Sequence, residues 1–237
     1  MKKITYIFAL LFFITFDCYS QNKGYIAVSY GASVPISTFD SKSVDSYIYG
    51  YRSDFGSAGY AKTGSMFEII FAFKKPDQQI GFSAIFRNQV NESDMQALSS
   101  QLQEQYSSYT VTAEGRKWLT NALMLGGYAE IPLNKLSFDL RAMLAMVSVS
   151  SPEWKIRLQG PNYNNYDTYR FGSAFSFGLM TGAGLKIDVS KEICLMLNAD
   201  LFVAAPEFME IDYITPIKTF KQLITTYNIS AGIGFRL

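Results

Sequence analysis

Side chains that alternate between apolar and polar leave this chain few ways to fold. Successive residues of a strand point to opposite faces, so a period of two marks a strand whose faces meet different surroundings. Between residues 67 and 73, Phe67, Ile69, Phe71 and Phe73 share one parity and Glu68, Ile70 and Ala72 the other. Between 136 and 146, Leu136, Phe138, Leu140, Ala142, Leu144 and Met146 alternate with Ser137, Asp139, Arg141, Met143 and Ala145. Residues 175–187 repeat the pattern, and weaker versions run over 24–32, 80–87, 119–133, 193–203 and 227–237. Most of these eight segments are near the ~9–11 residues that a tilted membrane strand requires.

The connections are as informative as the strands. Residues 74–79, 133–135 and 188–192 form short links, whereas 33–65, 88–118, 148–172 and 204–226 are long. Short and long alternate strictly along the chain. With antiparallel neighbours, all short turns then fall at one end and all long loops at the other, as in outer-membrane barrels.

Alternation does not say which face looks outward. A soluble, lipocalin-like barrel with an apolar lining has the same period. Charged residues make up 17% of the chain, below the ~25% of soluble domains. The polar parity is thinly charged and rich in small residues such as Gly126, Gly178, Gly182, Gly184, Gly232 and Gly234. The apolar parity carries no charge within the strands, which suits lipid, where a midplane Lys or Arg costs about 2–4 kcal/mol. The last segment, from Tyr227 to Leu237, is placed to pair with the first and remove both open edges. The expected fold is all-β: residues 21–237 form an eight-stranded antiparallel up-and-down transmembrane β-barrel with short periplasmic turns and four long external loops.

Residues 1–20 read as an address. Lys2 and Lys3 precede an uncharged apolar stretch from Ile4 to Phe16, too short for a spanning helix, which needs ~20 residues. Cys18 and Ser20 are small residues one apart, so cleavage between Ser20 and Gln21 is expected. The alternative, a lipid on Cys18, lacks the small residues before it. Of 21 basic and 20 acidic residues, the leader removes Lys2, Lys3 and Asp17, leaving 19 of each sign and no basic footprint for nucleic acid. Cys194 is then the only thiol, so no intramolecular disulfide is expected.

On Gly24 to Gly31, on Val34 to Phe39 and on the terminal Ile233-Gly234-Phe235-Arg236-Leu237, the chain resembles the small outer-membrane β-barrel proteins of Bacteroidota, OmpA-like and PorT-like. The resemblance implies the outer membrane of a Gram-negative bacterium, contact with its lipid, and a closing strand similar to the signal read by the barrel-assembly machinery. Leu237 stands where that signal usually has an aromatic residue. Some members are associated with protein secretion and gliding, but no residue here selects such a role.

Chemistry is constrained by the absence of His, which removes Ser-His-Asp triads, HExxH zinc sites and His bases. Barrel enzymes such as lipid A deacylases and surface proteases resemble one another in a site His. No enzyme, no catalytic residue, no cofactor and no metal is expected. Strand parity places Glu68, Arg87, Glu130, Asp139, Arg141, Lys186, Asp200 and Arg236 toward the lumen, with Asn198 and Asn228. An eight-stranded lumen is only wide enough for side chains to fill it, so a polar plug of ion pairs is expected, with Glu130 and Asp139 neutralised by Arg141 or another base. A small pore or ligand carrier is the alternative. A monomer is expected, with a structural, anchoring or partner-binding role through the external loops.

Those loops are rich in Tyr, Phe and Trp. Tyr60, Trp118 and Tyr169, near strand ends, read as an aromatic girdle at the membrane interface. In the second loop, Ser93-Asp94-Met95-Gln96 fits a capping box, and Met95, Leu98, Leu102 and Tyr106 recur at helical spacing. The spacing predicts a short amphipathic helix on the protein's own loops or on lipid headgroups.

Overall fold

The computed structural model describes residues 23–42, 58–75, 78–169, 172–210 and 218–237. The leader, with Ser20 and Gln21, lies outside the described residues. Eight strands close into one barrel in the order β1 (Lys23–Pro35), β13 (Ile224–Arg236), β10 (Ile193–Ala204), β9 (Ser173–Asp188), β6 (Leu136–Ser150), β5 (Trp118–Leu133), β3 (Ile80–Asn91) and β2 (Gly64–Lys74). Every neighbouring pair is antiparallel, including the closing pair, which runs from Tyr25 opposite Arg236 to Pro35 opposite Thr226. The tightest short turn joins Leu133 to Leu136, and Asn134 there takes a φ of 59°, a left-handed conformation that Asn tolerates better than most residues.

The strands run longer than alternation suggests. β5 and β9 have 16 residues and β6 has 15. Beyond the alternating run of β6 the ladder continues to Ser150, because backbone groups still gain partners from the neighbouring strand.

The four long connections hold structure of their own. A helix α1 (Met95–Gln105) and a strand β4 (Thr110–Gly115) lie in the second, and β7 (Trp154–Gly160) and β8 (Tyr163–Tyr169) in the third. β4, β7 and β8 form a separate three-stranded antiparallel sheet. A short hairpin, β11 (Glu207–Glu210) with β12 (Lys218–Lys221), lies in the fourth, and a 3-10 turn (Ser37–Phe39) in the first. Apart from the helix, alternation marks these segments only as loops. β4 and β7 are each no more than seven residues long and pair across about 45 residues of chain, so a local pattern shows little of them.

Helix α1 is capped by Asp94, not Ser93. The Asp94 carboxylate accepts a hydrogen bond from the Ala97 N–H at 3.1 Å, while the Ser93 hydroxyl donates to the Arg116 carbonyl at 2.8 Å. Leu98 and Leu102 are fully buried against Tyr60, Val111, Trp154, Ile156 and Leu158. The helix therefore packs on the protein's own loops.

Candidate functional site: the lumen and its cap

The barrel is inside out relative to a soluble protein. Leu144 is 70% exposed and Phe177 74%, with Leu140, Phe175, Leu179, Leu197, Ile229 and Phe235 also exposed around the outer face. Arg87, Asp139 and Asn228 are 0% exposed in the interior. In water this exchange would expose a large apolar surface and bury charge; in lipid it is the stable arrangement. The chain is a transmembrane β-barrel. The soluble alternative, in which the apolar parity lines a cavity, does not hold, because those side chains point outward. This is the architecture of outer-membrane barrels, with short turns at one end and long connections at the other.

No family model matches the chain, and no curated protein matches it. Among solved structures it is similar to Neisserial surface protein A, at 10% identity over 92% of this chain and 98% of that one, with a TM-score of 0.41. It is similar to Ail, the attachment invasion locus protein of Yersinia pestis, at 11% identity over 92% and 99%, with a TM-score of 0.45. A major outer membrane protein from Thermus thermophilus gives 10%, 90% and 99%, with a TM-score of 0.46.

Polar side chains fill the lumen in two connected groups. At mid-height Arg87 sits between two carboxylates. Its Nε and Nη2 donate to Glu68 Oε1 at 2.9 and 2.6 Å, and Nη1 and Nη2 donate to Asp200 Oδ1 and Oδ2 at 2.9 and 2.6 Å. Ser29 donates to the other oxygen of Glu68, and Asn228 Nδ2 donates to Asp200. Glu68 and Arg87 both belong to the parity that sequence alternation marks, and the register of their strands sets them directly opposite each other.

Toward the short-turn end, Arg141 donates to Asp139 at 2.6 and 3.0 Å and to Asn198 Oδ1 at 2.9 Å. Glu130 is held by Lys186 and by Lys74, so its bases are these two lysines and not Arg141. The Lys186 ammonium also lies 4.6 Å from the centre of the Tyr25 ring, a favourable cation–π position. Alternation leaves Lys74 in a turn, beside Lys75 and Pro76. Continuing the inward parity of Glu68, Ile70 and Ala72 by one more step reaches it.

Arg236 keeps inward parity but sits at the mouth. Its side chain is 41% exposed and paired with Asp188. A cavity of about 370 Å³ opens at this end, lined by Lys74, Lys186, Lys191 and Arg236 together with Glu130 and Asp188. No cluster of acids, His or Cys able to hold a metal occurs among the described residues.

The second group depends on a glycine. A Cβ on Gly184 would lie 2.8 Å from Arg141 Nη2, 2.8 Å from Asp139 Oδ1 and 2.9 Å from Asn198 Oδ1. Gly184→Val is expected to displace that triad and lower stability by about 1–3 kcal/mol. The midpoint of urea unfolding in detergent measures this. An unchanged midpoint would show that the triad has room to spare.

The girdle reading fails for two of its three residues. Trp118 is 2% exposed and donates from Nε1 to the Gly59 carbonyl at 3.0 Å, with its ring edge-on to Phe39 and Phe208. Tyr60 is 0% exposed, and its hydroxyl donates to Gln101 Oε1 at 2.6 Å, with the Lys42 carbonyl 3.0 Å away. Both close the wide mouth from inside instead of facing headgroups, because the folded cap supplies them with partners. The Tyr169 side chain lies outside the described residues.

Asp94 ties the cap together, since Lys42 Nζ lies 3.0 Å from the carboxylate that also caps α1. Partial burial raises its pKa, but the hydrogen bonds from Lys42 and the Ala97 N–H outweigh this and hold it below the ordinary carboxylate range. A depressed folded pKa means stabilisation that is complete above the unfolded value, near ~3.9, and lost as pH falls through the lower folded one. Asp94→Ala is expected to cost the cap about 0.5–2 kcal/mol. Amide exchange over α1 at neutral pH reads the loss, and wild-type exchange approaching the variant's only in acid reads its pH dependence. Equal protection of both proteins at neutral pH would disprove the clamp.

Proposed function

We propose that this chain is a plugged barrel of the Gram-negative outer membrane that carries a rigid external platform and acts by interaction, not by catalysis. The observation that carries the reading is the cap's own core. The long connections bury Leu98, Leu102, Trp154, Ile156 and Leu158 together, which gives a fixed surface, whereas loops serving only as links need no core. The buried Arg87 with its two carboxylates fills the mid-lumen, which favours a plug over a pore. In this reading the chain is a monomer exported by a leader cleaved between Ser20 and Gln21. Its closing strand is presented to the barrel-assembly machinery, and its kin are the small barrels of Bacteroidota. Anchoring, adhesion or membership of a larger envelope assembly are the roles such a platform serves.

The test combines two measurements on the full protein. In planar bilayers the plugged barrel is expected to be silent, and steady ohmic steps would overturn the plug in favour of the pore. Photo-crosslinkers placed on exposed cap residues of cells are expected to trap a defined envelope or surface component. Their failure at every cap position, with efficient surface display, would remove the interaction role.

A further inference from the structure

The cap sheet has two faces of different character. Val111, Trp154, Ile156 and Leu158 point inward to the helix. The opposite parity presents a polar face whose middle row, set by register, is Thr112, Arg157 and Tyr166. Arg157 is the centre of this face. Its guanidinium carbon lies 4.9 Å from the Tyr166 ring centre, and its Nε donates to Asn164 Oδ1 at 3.0 Å. Among the described side chains no carboxylate pairs with it, whereas the neighbouring Lys155 lies 3.8 Å from Glu153. The Tyr166 ring and the Asn164 amide thus hold the guanidinium in place on this face. Tyr166 is 60% exposed.

The geometry points to this face as a binding site for a carboxylate-bearing saccharide, with the acid on Arg157 and sugar C–H and hydroxyl groups against Tyr166 and the flanking amides of Asn164 and Gln159. The inference rests on the reading of the cap as a platform and names what it meets. Size selects the ligand class. Strands ~4.8 Å apart and residues ~3.4 Å apart give three strands of six residues a face of about 300 Å². A stable protein interface needs roughly 800 Å² from each partner, so the face suits two or three sugar units better than a protein. Charge selects the acid, because a guanidinium takes a planar carboxylate through two parallel hydrogen bonds. Tyrosine supplies contact area with little flexibility to lose.

Trigalacturonate and its methyl ester, titrated against the full protein in lipid nanodiscs, test the assignment. Saturable binding of the acid is expected, weaker by about tenfold or more for the ester, for Arg157→Gln and for Tyr166→Ala, since a charge-assisted bond is at stake. Lys155→Gln should bind like wild type, and all variants should keep the compact mobility of unboiled protein on SDS gels. Absent saturation, equal binding of the ester, or undiminished binding by Arg157→Gln overturns the inference. If the sugar fails while crosslinkers on this face trap a polypeptide, the saccharide is wrong and the platform stands. If both fail, both readings fall.

Discussion

Arg87→Leu is expected to cost the barrel about 3–5 kcal/mol, the usual penalty for leaving a buried charge without its partner. Arg87 is 0% exposed, and its four hydrogen bonds all go to Glu68 and Asp200. Its removal strands two carboxylates in a space that side chains fill. The fraction of protein running in the compact form on unboiled gels, followed against urea concentration, reads the effect. The companion variant Arg87→Met with Glu68→Gln and Asp200→Asn decides its cause. Without charges to compensate, part of the lost stability should return, because no charge is left buried alone, less the cost of the new amide N–H groups that Met cannot satisfy. The amide oxygens that replace the two carboxylates would still accept from Ser29 and Asn228. If Arg87→Leu unfolds at the wild-type urea concentration, the lumen is hydrated at this level and the plug reading is wrong.

Leu144→Arg tests the outer face. Leu144 is 70% exposed near the middle of β6, with Leu140 at 49% four residues toward the short-turn end. An arginine at the bilayer midplane costs about 2–4 kcal/mol, falling to about 0–1 near the interfaces. The loss should therefore shrink from Leu144→Arg to Leu136→Arg, which lies at the strand's first residue. Folding yield into vesicles gives the ranking. A water-facing barrel would tolerate or even prefer the charge, so improved yield at Leu144 would reverse the assignment of the two faces.

How far the sequence can be read follows the range of the forces involved. Alternation is local and persists as long as two media flank a strand, so Leu136 to Met146 or Phe175 to Ile187 declare themselves without help from the rest of the chain. Parity likewise places Glu68, Arg87, Asp139, Arg141, Lys186 and Asp200 on one side, and the structure has all six buried inside. What parity lacks is height. Arg236 shares the parity but ends its strand at the mouth, and Lys74 lies inside although it borders a turn.

Pairing is harder to see. Whether Glu130 meets Arg141 or two lysines depends on the stagger of strands that close a ring, which no single segment encodes. The helix is visible because 3.6-residue periodicity is also local, but its cap falls on Asp94, while the Ser93 hydroxyl is taken up by the Arg116 carbonyl 23 residues on. Tyr60 and Trp118 resemble interface aromatics because a strand end and a ring are all that sequence shows. Their burial waits on the cap.

Fold class and the shared parity of the mid-strand polar residues were therefore legible in chain order alone, since side-chain direction along a strand is a property of the backbone at each residue. The charge pairing in the lumen, the cap sheet with its own core, and the place of Arg157 on its outer face were decided by tertiary structure. The pairing of Arg87 with Asp200 and of β4 with β7 joins segments far apart in the chain, which no local pattern along one segment can specify.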